Sequence, residues 1–136
     1  MARKAVVDAV KERLADAALG VAIYGPNERY RPPTDGAVFI RHDYPVTNSE
    51  QLTIGAPGHN VWRDEGVFRL IVHAERGAGV DAGLALADQL ADLFRGKEFG
   101  GVQTFAPSPA ATDDDSENGN YFILAIAVPY QFDLIG

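Results

Sequence analysis

The residues of this chain that could do chemistry are three histidines, one acidic run and a few loop serines. His42 and His73 lie in two segments that predict β-strands, so the two rings could pair across a sheet and hold a metal ion. No HxH or HxxxH spacing supports such a site, and the sequence fixes no carboxylate beside either histidine. Ordinary strand histidines are therefore the favoured interpretation.

The acidic run is a concentrated group of carboxylates in a polar segment near the C-terminus. It consists of Asp113, Asp114, Asp115 and Glu117. A calcium loop of the EF-hand type places its ligands at alternate positions, so that they converge on the ion, and this run does not have that spacing. We expect a solvated acidic loop, and if this loop binds a partner we expect a basic patch on a neighbouring protein rather than calcium.

No arrangement typical of an enzyme is present. Asp43 could act with Asp64 or Glu65 as an acid and base, but the sequence assigns neither role. The serines lie in loops without a GxSxG motif. The 136 residues include no cysteine, which excludes thiolate nucleophiles, disulfides and cysteine-based zinc sites. We expect neither an enzyme nor a cofactor.

The charge balance bears on nucleic acid as a partner. The formal net charge is −7, from 19 acidic and 12 basic residues, and the basic residues are scattered. Because a nucleic-acid groove needs clustered lysine and arginine, tight DNA binding is not expected, although an acidic surface could line a passage for DNA. No apolar run is long enough to span a membrane, and no signal-peptide core is present. These features predict a soluble protein made in the cytoplasm.

Two helices are predicted by apolar residues spaced three or four apart. The first runs from about Arg3 to Leu19, before Gly20, and its stripe consists of Val6, Val10, Leu14 and Ala17. The second begins near Val80 or Asp81 and ends at Gly96. Its buried face is predicted to consist of Leu84, Ala87, Leu90, Ala91 and Phe94.

The remaining segments predict strands: VAIYG, AVFIRHDY, QLTIG, VWRDEGVFRLIVHAE, FGGVQTF and YFILAIAVPY. Gly66 interrupts the longest of them, which favours a bulge or bend there. Gln51–Ile54 is predicted to form a hairpin with the start of that strand. Pro129 cannot donate a backbone hydrogen bond, so pairing on its side of the last strand should lapse.

The predicted element order is α–β–β–β–β–α–β–β, with short links between many strands. This order favours the α+β class, with a mostly antiparallel or mixed sheet and two helices packed on one face. No repeat or linker divides the chain, so we expect a single domain spanning residues 1–136.

Apolar and aromatic side chains also lie in the polar segment Thr47–Trp62. They are Leu52, Ile54 and Trp62. Such residues either close the edge of the core or anchor a protein contact, where tryptophan and tyrosine are enriched. We expect Thr47–Trp62 and the acidic segment Thr112–Asn120 to contact partners.

The second half of the chain resembles the tail terminator proteins of long-tailed bacteriophages and gene transfer agents. The matching stretches are LALADQLADLFRGKEFGGVQTFAPSP (Leu84–Pro109) and, after the acidic loop, YFILAIAVPYQFD (Tyr121–Asp133). In the first half the short helix and the proline-containing loop of RPPTDGAVFIRHDY match in outline. The order of predicted elements resembles that of the family over most of the chain, and the sequence motifs themselves match over roughly the last third.

The resemblance implies a structural virion protein, assembled in the bacterial cytoplasm and located where the tail meets the neck. Such a protein forms a ring, expected to be hexameric, on the last ring of tail-tube protein. The ring stops tube growth and offers a surface to head-completion proteins, while DNA passes through its lumen without tight binding. Two alternatives stay open: another virion ring protein, such as a head-completion or tube protein, and a small-molecule-binding α+β domain.

Overall fold

The computed structural model describes residues 1–29, 31, 35–112 and 121–136. Within these residues the chain forms two helices, α1 and α2, and seven strands, β1 to β7. In chain order they are α1 (Lys4–Asp16), β1 (Ala22–Tyr24), β2 (Phe39–Gln51), β3 (Val61–Glu75), α2 (Asp81–Phe94), β4 (Glu98–Phe99), β5 (Val102–Thr104), β6 (Ala111–Thr112) and β7 (Tyr121–Ile135).

All seven strands belong to one mixed sheet, in which β1 pairs with β2 in parallel and the other pairs are antiparallel. The strand order is β1-β2-β3-β7-β5-β4, and β6 pairs with another part of β7. Side chains of both helices enter one buried apolar cluster with β2, β3 and β7. The predicted α+β class, with two helices on one face of the sheet, is confirmed.

The predicted order of elements was wrong in three places, one of which is that the short strand β6 was not predicted. QLTIG is not a strand of its own, because β2 continues through Pro45 and ends at Gln51. FGGVQTF is not one strand but the hairpin β4–β5, which turns at Gly100 and Gly101 with φ of 55° and 80°. Glycine adopts this left-handed backbone without a steric cost, so the turn is encoded in the paired glycines.

The bulge predicted at Gly66 lies on the neighbouring strand. The pairing of β3 with β7 runs without a shift through Gly66, whereas the register of β2 against β3 shifts between Asp43 and Val46. Gly66 is required for a different reason: a Cβ atom there would lie 2.3 Å from the carbonyl oxygen of Val46. The glycine permits close approach of two backbones.

The prediction for Pro129 is confirmed on one side of β7. Its carbonyl accepts a bond from the Phe105 amide at 3.0 Å, so its missing N–H also points toward that side. There, β5 pairs with β7 only as far as Tyr130, and β6 resumes the pairing at Ala125. On the opposite side β3 pairs with β7 across Pro129 without a break.

The helices follow their predicted faces with two differences. In α1 the side chains of Val6, Val10 and Leu14 are buried as predicted, but the helix ends at Asp16. In α2 Leu84 is 37% exposed and Gly83 faces the sheet instead. A Cβ atom at Gly83 would lie 3.2 Å from both Ala74 and Leu124, so α2 packs closely because a glycine is there.

The two strand histidines lie on opposite faces of the sheet, which excludes the imagined two-histidine metal site. His42 pairs across strands with Leu70, whereas His73 is three residues further along β3 and pairs with Phe39. His73 stacks on Phe39 with ring centroids 4.3 Å apart, and Arg41 donates to its Nε2 atom at 3.0 Å. His42 is buried on the helix side, where its Nδ1 atom lies 2.9 Å from the Tyr44 hydroxyl.

Burial lowers the pKa of His42 below its ordinary value of 6.5, against the opposing effect of Glu28. Its Nε2 atom has no hydrogen-bond partner within the described part of the chain. Because folding favours the neutral ring, its contribution to stability is complete above pH 6.5 and is lost as the pH falls below that value. Urea unfolding from about pH 7.5 to about pH 5.5 should therefore show a steeper loss of stability in the wild type than in His42→Asn. Equal slopes in the two proteins would contradict this assignment.

Candidate assembly surface

The long strands extend beyond the helix layer. At about 3.3 Å per residue the 15 residues of β3 span about 50 Å, whereas the 14 residues of α2 span about 21 Å. Burial follows this difference: β2 is mostly buried up to Tyr44 and mostly exposed from Pro45 to Gln51. We call the projecting part the arm; it consists of 46–51, 61–67 and 129–135, joined at its tip by the loop 52–60.

On the face opposite the helices, the arm presents two polar rows of side chains between two apolar rows. Cross-strand partners define these rows, because directly paired residues share a face. From base to tip the rows are Val46–Val67–Pro129, Asn48–Glu65–Gln131, Glu50–Arg63–Asp133 and Val61–Ile135. Arg63 holds Asp133 with two bonds of 2.8 and 2.9 Å, and this contact lowers the pKa of Asp133.

A buried carboxylate fixes the middle of the arm to the N-terminus of α1. Asp64 is 1% exposed and accepts hydrogen bonds from the Arg3 guanidinium and the Ser49 hydroxyl. The bond to Asp64 raises the pKa of Arg3. Two residue pairs closer to the base of the arm, the Thr47 and Tyr130 hydroxyls lie 2.7 Å apart. These bonds hold α1 and all three arm strands in a fixed arrangement.

The tip of the arm carries large apolar side chains that the subunit does not cover. Ile54 is 85% exposed, Leu52 41% and Ile135 71%. Trp62 differs, since it is only partly exposed and its indole Nε1 donates to the Gly136 carbonyl at 3.0 Å. Trp62 therefore secures the end of β7, as expected for a residue that closes an edge.

The structure brings Leu52, Ile54 and Trp62 together at one end of the sheet, and their contact with a partner stays a prediction. The other four predicted contact residues, Asp113, Asp114, Asp115 and Glu117, lie outside the described residues. Sequence reasoning missed Ile135 because the last strand was expected to weaken at Pro129. Polar and apolar residues alternate through QFDL after Pro129, which indicates that the strand continues as far as Ile135.

A surface groove of about 320 Å³ lies between α1, the end of α2 and the β4–β5 turn. The Arg13 guanidinium lies 5.0 Å from the centre of the Phe99 ring there and donates to the Leu93 carbonyl at 2.8 Å. Within the described ranges no three Asp, Glu or His side chains are grouped to hold a metal ion. No described helix is long and apolar enough to cross a membrane.

Comparison with known proteins identifies the family of this chain. A solved structure superposes with a TM-score of 0.64 at 20% identity, covering 97% of this chain and 96% of the other, which shows a shared fold. No curated protein sequence matches the chain. The family model for the phage tail terminator protein matches residues 5–130. Because that match spans nearly the whole chain, the protein belongs to the phage tail terminator family, whose members are structural virion proteins of the tail end.

Proposed function

We propose that this protein assembles into a closed ring of six subunits on the last ring of tail-tube protein. The ring stops polymerisation of the tube, offers its other face to the head-completion proteins of the neck, and lets DNA pass through its lumen. Family membership supports the location at the tail end. Assembly of the subunits in the bacterial cytoplasm, before they join the particle, is part of the proposal.

The observation that carries the proposal is the uncovered apolar tip of the arm. Ile54 and Leu52 lie in the loop between β2 and β3, more than three-quarters of Ile54 is exposed, and Ile135 is close to the tip on β7. Exposed apolar side chains that are grouped on a rigid element are typical of protein contacts. In a cyclic ring each subunit uses two different patches, one for each neighbour, and the rotation closes the assembly.

Replacing Ile54 by aspartate is expected to abolish the ring without unfolding the subunit. The charge enters a contact that excludes water, whereas the side chain contributes almost nothing to the core of the free subunit. Light scattering and negative-stain imaging, with and without the cognate tube protein, would show six-fold rings in the wild type and single 14.6 kDa subunits in the variant.

The matched control is Val80→Asp, an exposed apolar residue beyond the opposite end of β3. This variant should retain rings and tail-length control. Rings that persist in Ile54→Asp would remove the arm tip from the contact. Long cylinders of the wild-type protein would instead favour a tube protein, and a strict monomer that ignores the tube protein would contradict the proposed function.

A further inference from the structure

The outer edge of β2 is open along the arm. The short strand β1 covers β2 only from Phe39 to Arg41. Beyond that point, within the described residues, no strand pairs with β2 on the side away from β3. Proteins usually protect such an edge with lysine, proline or a bulge. Here the stretch 46–51 contains neither lysine nor proline, and the bulge lies before it.

The backbone groups at this edge alternate in a defined way. The Leu52 amide donates to the Val61 carbonyl at 2.8 Å, so Leu52 directs its backbone groups toward β3. In an antiparallel pair, alternate residues point their amide and carbonyl groups toward the partner strand and away from it. Thr47, Ser49 and Gln51 therefore direct these groups outward.

Among the residues that the structure describes, no strand pairs with the opposite edge of the arm near the end of β7. The backbones of Asn60 and Gly136 exchange bonds of 3.1 and 2.9 Å, so Gly136 points toward the β3 side. By the same alternation Asp133 and Ile135 direct their amide and carbonyl groups away from β3. On that side β5 pairs with β7 only as far as Phe132.

We propose that the open edge of β7 in one subunit pairs with the open edge of β2 in the next. The strands β2 and β7 are both antiparallel to β3, so they run parallel to each other. Subunits of a ring are related by rotation about the ring axis. If the arm strands run along that axis, the rotation preserves their direction, so β7 of one subunit lies beside β2 of the next in parallel orientation. The arms then join into one closed sheet.

A second copy of this chain fits these edges better than another partner for two reasons. Each edge exposes alternate backbone groups, and the two edges lie on opposite sides of one arm, as a head-to-tail contact requires. Exposed apolar side chains accompany both of them: Val46 is 50% exposed and Leu52 41% on the β2 side, and Ile135 is 71% exposed on the β7 side. Pairing would bury these side chains together with the backbone groups.

This inference rests on the proposed ring and adds its geometry. Six copies with three arm strands each would form a barrel of eighteen strands. Closed sheets of about 16–18 strands leave an open channel, in contrast to small barrels that side chains fill. The joined arms would thus form a wall around the lumen.

Cross-linking between introduced cysteines tests the contact directly, because the natural chain has no cysteine. Glu50 and Ile135 lie at the two edges with side chains on the same face, so Glu50→Cys/Ile135→Cys is the main variant. A short thiol cross-linker tolerates a shift in register, and Asn48→Cys/Ile135→Cys covers the neighbouring register. The double variants should give a ladder of covalent oligomers up to the closed ring, whereas each single variant should stay uncross-linked.

A proline substitution provides a second, independent test. The Gln51 amide points outward and has no strand partner within the described ranges, so Gln51→Pro removes a donor that is available at this edge. Gln51→Ala keeps that donor and is the matched control. We expect Gln51→Pro to fold with an unchanged unfolding midpoint and to lose ring formation, while Gln51→Ala retains the ring.

The outcomes separate this inference from the proposed function. Wild-type rings without a cross-linked ladder, or intact rings in Gln51→Pro, would overturn edge pairing and leave the ring proposal standing. Dimers from a single-cysteine variant would indicate a two-fold contact and also overturn it. If imaging shows no wild-type ring even with tube protein, the proposed function itself fails, and edge pairing fails with it.

Discussion

Replacing Phe68 by alanine is expected to lower the free energy of unfolding by about 3–5 kcal/mol. Phe68 is fully buried at the centre of the helix-covered face. Its ring contacts Phe94 of α2 with centroids 5.2 Å apart, and it lies 5.9 Å from Tyr130 and 6.0 Å from Tyr44. Alanine leaves a cavity between α2 and three strands that these aromatic neighbours cannot fill, so both the transfer free energy and the packing contacts are lost.

The measurement is urea unfolding monitored by circular dichroism, and the matched control is Phe105→Ala. Phe105 is 41% exposed, so its loss should change stability by about 1 kcal/mol or less. A total stability of about 5–15 kcal/mol is usual for a domain, so Phe68→Ala removes a large share of it. A loss no greater than that of Phe105→Ala would show that this cluster does not form the core.

The second large effect is expected for Gly66→Ala. An added Cβ atom would lie 2.3 Å from the Val46 carbonyl oxygen, 2.9 Å from the Thr47 hydroxyl and 3.0 Å from the Tyr130 hydroxyl. The carbonyl belongs to the paired backbone of β2, so it cannot rotate away as a flexible side chain would. The strands must separate at the base of the arm, and we expect a loss of about 3 kcal/mol, the upper end for an overpacked site.

Glu65→Ala is the control for this substitution, because Glu65 is adjacent in β3 and exposed. It changes the same strand without adding an atom between the two backbones. Urea unfolding gives the stability of both variants, and hydrogen exchange of the β2 and β3 amides locates the damage. The protection of these amides from hydrogen exchange should fall at the base of the arm in Gly66→Ala and stay unchanged in Glu65→Ala. If Gly66→Ala lowers the free energy of unfolding no more than Glu65→Ala does, then β2 and β3 do not approach closely at Gly66.

These two sites also show what was readable from the sequence. The segment VWRDEGVFRLIVHAE was readable as one long strand, and in the structure it forms β3 over the same residues. Gly66 was readable as an exception within that strand, but the sequence did not show why a glycine is required there. The clash involves a backbone atom 20 residues earlier in the chain, and sequence spacing contains no information on such a distance.

The arm illustrates the same limit. Leu52, Ile54 and Trp62 were recognisable as apolar residues in a polar segment, but their roles differ in the structure. The Trp62 indole donates a hydrogen bond to the Gly136 carbonyl, whereas the Ile54 side chain is exposed to solvent. This difference depends on where β7 ends relative to β3, and that register is a tertiary property.

The sequence by itself determined the α+β class, the two helices on one face, the absence of cysteine chemistry and the resemblance to tail terminators. These features depend on local periodicity, composition and motif, which the order of residues states directly. Tertiary structure alone decided that β2 continues into the arm and that His42 and His73 face opposite sides of the sheet. It also decided that two edges of the arm have no paired strand within the described part of the chain. Each of these features depends on the pairing of strands that are distant in sequence. The contacts that stabilise such pairing are not specified by any local sequence pattern.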